Sequence, residues 1–122
     1  MKNSKQKQFD LEDRTFEFAK NVRAYIKRLP QNLSNREDVK QLLRSSGSVG
    51  ANYIEANNSL GKKDFFMRIK ISKKEAMESR YWLRLLDVGD SEHFDLQRNK
   101  LAQEAQELTN IFGAILQKST KS

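Results

Sequence analysis

The chain predicts an all-α fold, an antiparallel four-helix bundle with up-down-up-down topology. Three observations carry this. Four segments repeat apolar residues at the three-and-four spacing of a helix with one buried stripe. Pro30, Ser59-Leu60-Gly61 and Gly89-Asp90-Ser91 separate these segments, so the connections are short and successive helices must run antiparallel. No segment reads as a strand. The 122 residues make one domain with a single modest core.

The first helix is expected from Asp10 to Leu29, after a polar, frayed tail at residues 1–9. Asp10 is its expected cap, and Glu12 and Asp13 suit the positive end of the helix dipole. Leu11, Thr15, Phe18, Val22, Tyr25, Ile26 and Leu29 form the inward stripe, and Pro30 ends the helix. The second helix is expected to open on a capping box between Ser34 and Glu37. Its stripe is Val39, Leu42, Leu43, Ser46, Val49, Gly50, Tyr53, Ile54 and Asn57. Residues 45–51 are nearly all small. Gly47 and Gly50 each cost roughly 1 kcal/mol against Ala in a helix, which makes sense if another helix approaches closely there. A break at Gly47 is the competing reading.

The third helix is expected over Lys62 to Asp87, with Phe65, Ile69, Ser72, Ala76, Ser79, Leu83 and Leu86 inward. The fourth is expected over Phe94 to Gln117. Leu101, Ala105, Leu108, Phe112 and Ile115 face in, and Ile111 and Leu116 widen that face. The bundle domain thus spans residues 10–117, and 118–122 form a polar tail.

Composition limits the function classes. Hydrophobic residues are 37% and charged residues 32%, with one proline and five glycines, as in a water-soluble helical protein. No run of about 18 apolar residues predicts a membrane span. The basic start lacks the apolar centre of a secretory signal. With no cysteine, disulfides and thiol catalysis are excluded, and a cytoplasmic location is expected. The net charge of +7 and a pI near 9.7 favour acidic partners, nucleic acid among them.

Catalytic and cofactor signatures are not found. The Gly47-Ser48-Val49-Gly50 segment lacks the spacing, the Lys-Ser/Thr ending and the preceding strand of a phosphate loop. Glu55, Glu75 and Glu78 suggest a carboxylate metal site, but bundle di-metal centres pair glutamate with Glu-x-x-His. The single histidine, His93, has no such spacing. No metal, cofactor or catalytic residue is expected, and the chain is read as a non-enzyme.

The strongest functional candidate is the basic face of the third helix. At 100° per residue, Lys63, Lys70, Lys73, Lys74, Arg80 and Arg84 share one broad face away from the core stripe, with Tyr81 among them. Such a stripe suits contact with phosphates. A merely solvated face is the competing reading, with Glu75 and Glu78 pairing at helical spacing with nearby Lys and Arg. Trp82, Ile71, Leu85 and Phe66 spill beyond the core stripe, as does Phe16 on the first helix. Excess apolar width argues for a subunit interface, against the plainer reading of a wide core.

One stretch adds a family resemblance. Arg44-Ser45-Ser46, Val49-Gly50-Ala51-Asn52, Glu55-Ala56, Asp64-Phe65 and the run KISKKEAMESRYWLRLL resemble the small bacterial four-helix-bundle proteins encoded in intervening sequences of 23S rRNA genes. The accessory variability determinant of diversity-generating retroelements is a more distant relative. The resemblance covers residues 10–117, and its specific part is 44–86. It implies a cytoplasmic bundle that assembles as a ring-shaped homopentamer without catalytic residues. The retroelement branch implies nucleic-acid and reverse-transcriptase binding through basic surfaces. By this resemblance Arg44, Gly50, Asn52, Glu55, Lys74, Glu75, Glu78 and Trp82 are motif positions, read as structural or interfacial. Tyr53 and Arg68 depart from the family pattern.

The expected function is a non-enzymatic, homo-oligomeric scaffold that binds RNA or DNA electrostatically. The alternative is a structural adaptor whose ring binds a protein partner and no nucleic acid.

Overall fold

The computed structural model describes the backbone of residues 4–120 and the side chains of residues 11–119. Four helices follow in order: α1 (Ser4–Arg28), α2 (Leu33–Asn57), α3 (Lys62–Leu85) and α4 (Glu92–Gln117). A short 3₁₀ turn, Lys118–Thr120, ends the described backbone. Each helix packs on its sequence neighbour, and α1 closes the bundle against α4. The most extensive packing is that of α3 on α2 and on α4. Among the described residues there is no strand.

α1 begins at Ser4 rather than at Asp10. Lys and Gln fill the segment before Asp10, and both sustain a helix well. Of the expected tails, residues 1–3 and 121–122 lie outside the described residues. α2 also corrects its expected start. Its cap is Asn32, whose side chain accepts from the Asn35 backbone N–H at 2.8 Å. Ser34 instead donates to Asn32 Oδ1 at 3.1 Å, so the expected capping box with Glu37 does not form. α4 is capped by Ser91, whose hydroxyl accepts from the Phe94 N–H at 3.1 Å. Gly89 precedes it with φ 67°, a left-handed conformation that glycine adopts without strain.

One buried cluster runs through the bundle. Phe18, Val22, Leu42, Val49, Ile69, Leu83, Leu108 and Phe112 are all fully enclosed. On α2 the buried stripe turns away from the expected Ile54 and Asn57, which are exposed, and takes in Ser45 and Ala56. That rotation places the small residues between helices. Ser72 of α3 donates to the Val49 carbonyl at 2.9 Å, and Ser79 donates to Ser45 Oγ at 2.9 Å. A buried hydroxyl needs such a partner. Serines therefore let α2 and α3 approach closely while satisfying their own polar atoms.

α2 is continuous through Gly47. At Gly50 a Cβ would stand 2.9 Å from Thr15 Oγ1 and 3.2 Å from Thr15 Cβ, so the glycine marks the close crossing of α1. Buried Asn35 ties the loops together at one end of the bundle. Its amide donates to the Pro30 and Asp87 carbonyls at 3.1 and 2.9 Å, and it accepts from the Asp87 N–H at 2.9 Å. Asn35 is in register with the α2 stripe, four residues before Val39 and seven before Leu42, but periodicity gives no signal for its partners, which lie in the loops.

Candidate nucleic-acid interface

The helical period of α3 puts Ile69, Ser72, Ala76 and Leu83 in the core and the cations elsewhere. Lys63, Lys70, Lys74 and Arg84 are exposed, and Lys73 and Arg80 are half-buried. Four of the six meet the groove between α3 and α4. Lys70 and Lys73 line an open cleft of about 820 Å³ opposite Asn110, Gly113 and Ala114. Arg80 and Arg84, with Met77 and Tyr81, line a second of about 370 Å³ opposite Gln106. Thr109 lines both, so the clefts adjoin. Lys73 reaches across to α4, where Gly113 leaves room for its Cε and Nζ. Lys63 and Lys74 line neither cleft.

The acids around this groove are engaged on its far sides. Glu104 of α4 accepts from Arg14 Nε and Nη2 of α1 at 2.6 and 2.9 Å, and Glu107 accepts from Arg14 Nη2 at 2.7 Å. These hydrogen bonds, with Glu104 the larger influence, hold the Arg14 guanidinium still more firmly protonated than an ordinary arginine. The α4 wall of the groove is left with uncharged groups: Gln106, Thr109 and Asn110. Gln106 Nε2 donates to Asn110 Oδ1 at 3.0 Å along that wall. Among the described residues, the only acid lining either cleft is Glu78. Among the described residues, none of the six cations takes part in an ion pair.

Glu75 and Glu78 do not pair along their own helix as expected. Arg44 of α2 bridges both, with Nη1 donating to Glu75 Oε2 at 3.3 Å and Nη2 to Glu78 Oε1 at 2.9 Å. Bonding to Glu75 first, then Glu78, raises the Arg44 pKa further. Glu75 is buried, and among the described residues its Oε1 is the one enclosed side-chain polar atom without a partner. Asn52 and Arg68 extend this polar seam: Arg68 donates to Asn52 Oδ1 at 3.1 Å, and Asn52 donates to the Ser48 carbonyl at 2.9 Å. Arg68 and Asn52 are thereby joined across the α2–α3 seam. Glu55 lies exposed on α2.

The apolar overflow divides. Trp82 is half-buried and packs against the core. Ile71 and Phe66 are half-buried as well. Leu85 and Phe16 remain exposed, with the Lys20 ammonium 5.5 Å from the Phe16 ring centre. Met67, Met77 and Tyr81 add further exposed apolar surface on α3.

His93 is exposed, with Arg28 Nη2 lying 3.2 Å from its Nε2. Among the described residues, no three His, Cys, Asp or Glu side chains converge as a metal site. No described helix is long and apolar enough to cross a membrane.

Comparison with known proteins follows the same lines. A family profile described as 23S rRNA-intervening sequence protein matches residues 7–114. A crystal structure of a protein with unknown function from the S23 ribosomal protein family of Bacteroides thetaiotaomicron VPI-5482 superposes with a TM-score of 0.69. It shares 29% identity, and the match covers 86% of this chain and 96% of that one. No curated protein matches. From its four helices to the extent of the profile match, the chain belongs to the 23S rRNA-intervening sequence protein family.

Proposed function

We propose that this protein is a non-enzymatic, homo-oligomeric scaffold that binds nucleic acid through the basic face of α3. One observation carries the reading. Six cations share that face with no ion pair among the described residues, while Arg44 and Arg14 engage the acids that could neutralise them. A phosphate backbone reaching Lys70, Lys73, Arg80 and Arg84 meets unpaired positive charge. Neutralising it releases condensed counterions, which makes binding favourable and dependent on salt. No base-reading motif accompanies the patch, so sequence preference is expected to be weak. The exposed Met67, Leu85 and Phe16 support self-association, and the pentameric ring rests on family resemblance. Repeating the patch around a ring raises avidity without new contacts. The cytoplasm suits this role.

The test replaces Lys70, Lys73 and Lys74 together with Ala. Affinity for mixed-sequence RNA and DNA is expected to fall on the order of 100-fold in dilute salt, and the slope of log affinity on log salt by about two to three. Light scattering should give the parent's mass, that of an oligomer. Unchanged affinity at every salt concentration would leave the face merely solvated and favour an adaptor that holds a protein partner.

A further inference from the structure

Resting on the nucleic-acid reading above, we infer that the α3–α4 groove takes a single strand, with Tyr81 as the platform on which one base stacks. Tyr81 is 56% exposed among the cations of the basic face, one turn from the exposed Met77. Its ring is braced by Trp82, 5.1 Å away and at 78° to it. Trp82 is itself anchored on the core, so the tyrosine ring is held outward by a fixed neighbour. Met77, one turn before it, and Arg84, three residues after it, share the same cleft. This combines an aromatic ring, a thioether and a guanidinium around one opening of about 370 Å³, near the lower end of ligand pockets of roughly 300–1,000 Å³.

That set suits the face of an unpaired base. Stacking on an aromatic ring, with an arginine beside it, is how sequence-tolerant proteins hold single strands. A duplex keeps its base faces stacked internally and offers phosphates, 2′-hydroxyls and groove edges, so it presents no base face to Tyr81 and Met77. The adjoining cleft continues the path. From Arg84 back to Lys70 the helix rises about 21 Å, at about 1.5 Å per residue. Along it the cations of α3 face an uncharged α4 wall bearing Gln106 and Asn110. Phosphates would follow the Lys70, Lys73 and Arg80 side, with base edges turned to the amides. Helical period puts Tyr81 among the cations; only the fold shows that it shares an opening with Met77, Arg84 and the Gln106 amide of α4.

The experiment titrates the full chain with a short oligouridylate and with an RNA duplex of the same length, for the parent, Tyr81→Leu and Tyr81→Trp. The parent should bind the single strand more tightly than the duplex. Tyr81→Leu should weaken single-strand binding about tenfold, leaving duplex binding and the salt slope unchanged, because stacking contributes without neutralising a phosphate. Tyr81→Trp should retain the parent's affinity. Equal or tighter duplex binding overturns the inference and leaves the electrostatic scaffold standing. So does single-strand binding by Tyr81→Leu equal to the parent's. A changed oligomer mass for Tyr81→Leu also overturns it, by assigning the ring to a subunit contact. If the parent binds neither RNA, the inference and the nucleic-acid reading fall together.

Discussion

Where α3 meets α2, its charges and hydroxyls find partners within the chain, Glu75 Oε1 excepted. Glu75 and Glu78 share Arg44, Ser79 bonds Ser45, and Ser72 bonds the Val49 carbonyl. Where α3 meets α4, Lys70, Lys73, Arg80 and Arg84 face glutamine, asparagine, threonine and glycine. The two flanks belong to one helix and are both polar. They differ in whether the facing helix supplies the complementary group. A flank whose charges are paired internally holds the bundle together. A flank whose charges are left open has its electrostatic free energy still to gain from another molecule. Net charge alone would not separate these roles, since a surface ion pair and a free lysine look alike in composition.

The comparison predicts opposite responses to substitution. Ser79→Leu on the α2 flank should give the largest loss of stability. Ser79 is fully enclosed, and added methylenes in a packed seam cost about 1–3 kcal/mol. Thermal unfolding measures this directly, and an unchanged midpoint would mean that the α2–α3 seam is loosely packed.

Arg44→Met sharpens the electrostatic side of the contrast. It leaves buried Glu75 with neither oxygen paired, which costs roughly 1–3 kcal/mol, towards the low end because Arg44 is itself half exposed to water. Adding Glu75→Met should recover most of that loss, since removing both members of a pair spares the orphaned charge. Urea titration of the two single variants and the double gives the coupling. Additive losses would show that the bridge contributes nothing beyond its parts.

The smallest effect is expected on the α4 flank. The Lys70, Lys73 and Lys74 triple alanine variant should keep its unfolding free energy to within about 0.5 kcal/mol, because these side chains make no ion pair among the described residues. A larger loss would break the comparison by giving the open flank a structural role.

Much of the bundle was legible in the sequence. The stripe from Thr15 to Leu29 and that from Ile69 to Leu86 are inward as their spacing requires, because a helix fixes the angle between residues three and four apart. Boundaries were less legible. Ser34 and Asn32 both offer cap chemistry, and the choice between them depends on the path of the chain after Pro30. Asn35 continues the α2 stripe one turn before Val39, but a polar residue gives no apolar signal, and its bonding groups lie in two loops that helical spacing does not describe. The α2 stripe past Tyr53 turns because of the helix that lies opposite, and periodicity within one helix carries no information about that.

The candidate site divides in the same way. The grouping of the six cations on one side of α3 follows from local geometry, since 100° per residue holds whatever surrounds the helix. The destination of the acids does not. Glu75 and Glu78 could have paired along their own helix, as residue spacing alone suggested. The register between α2 and α3 gave them to Arg44 instead, and the rotation of α4 turned Glu104 and Glu107 towards Arg14. The sequence by itself determined the helices, their buried stripes and the shared face of the cations, because those are properties of a few consecutive turns. Only the tertiary structure decided which charges are neutralised and which remain open, because an ion pair between helices depends on the relative rotation and translation of two segments far apart in the chain.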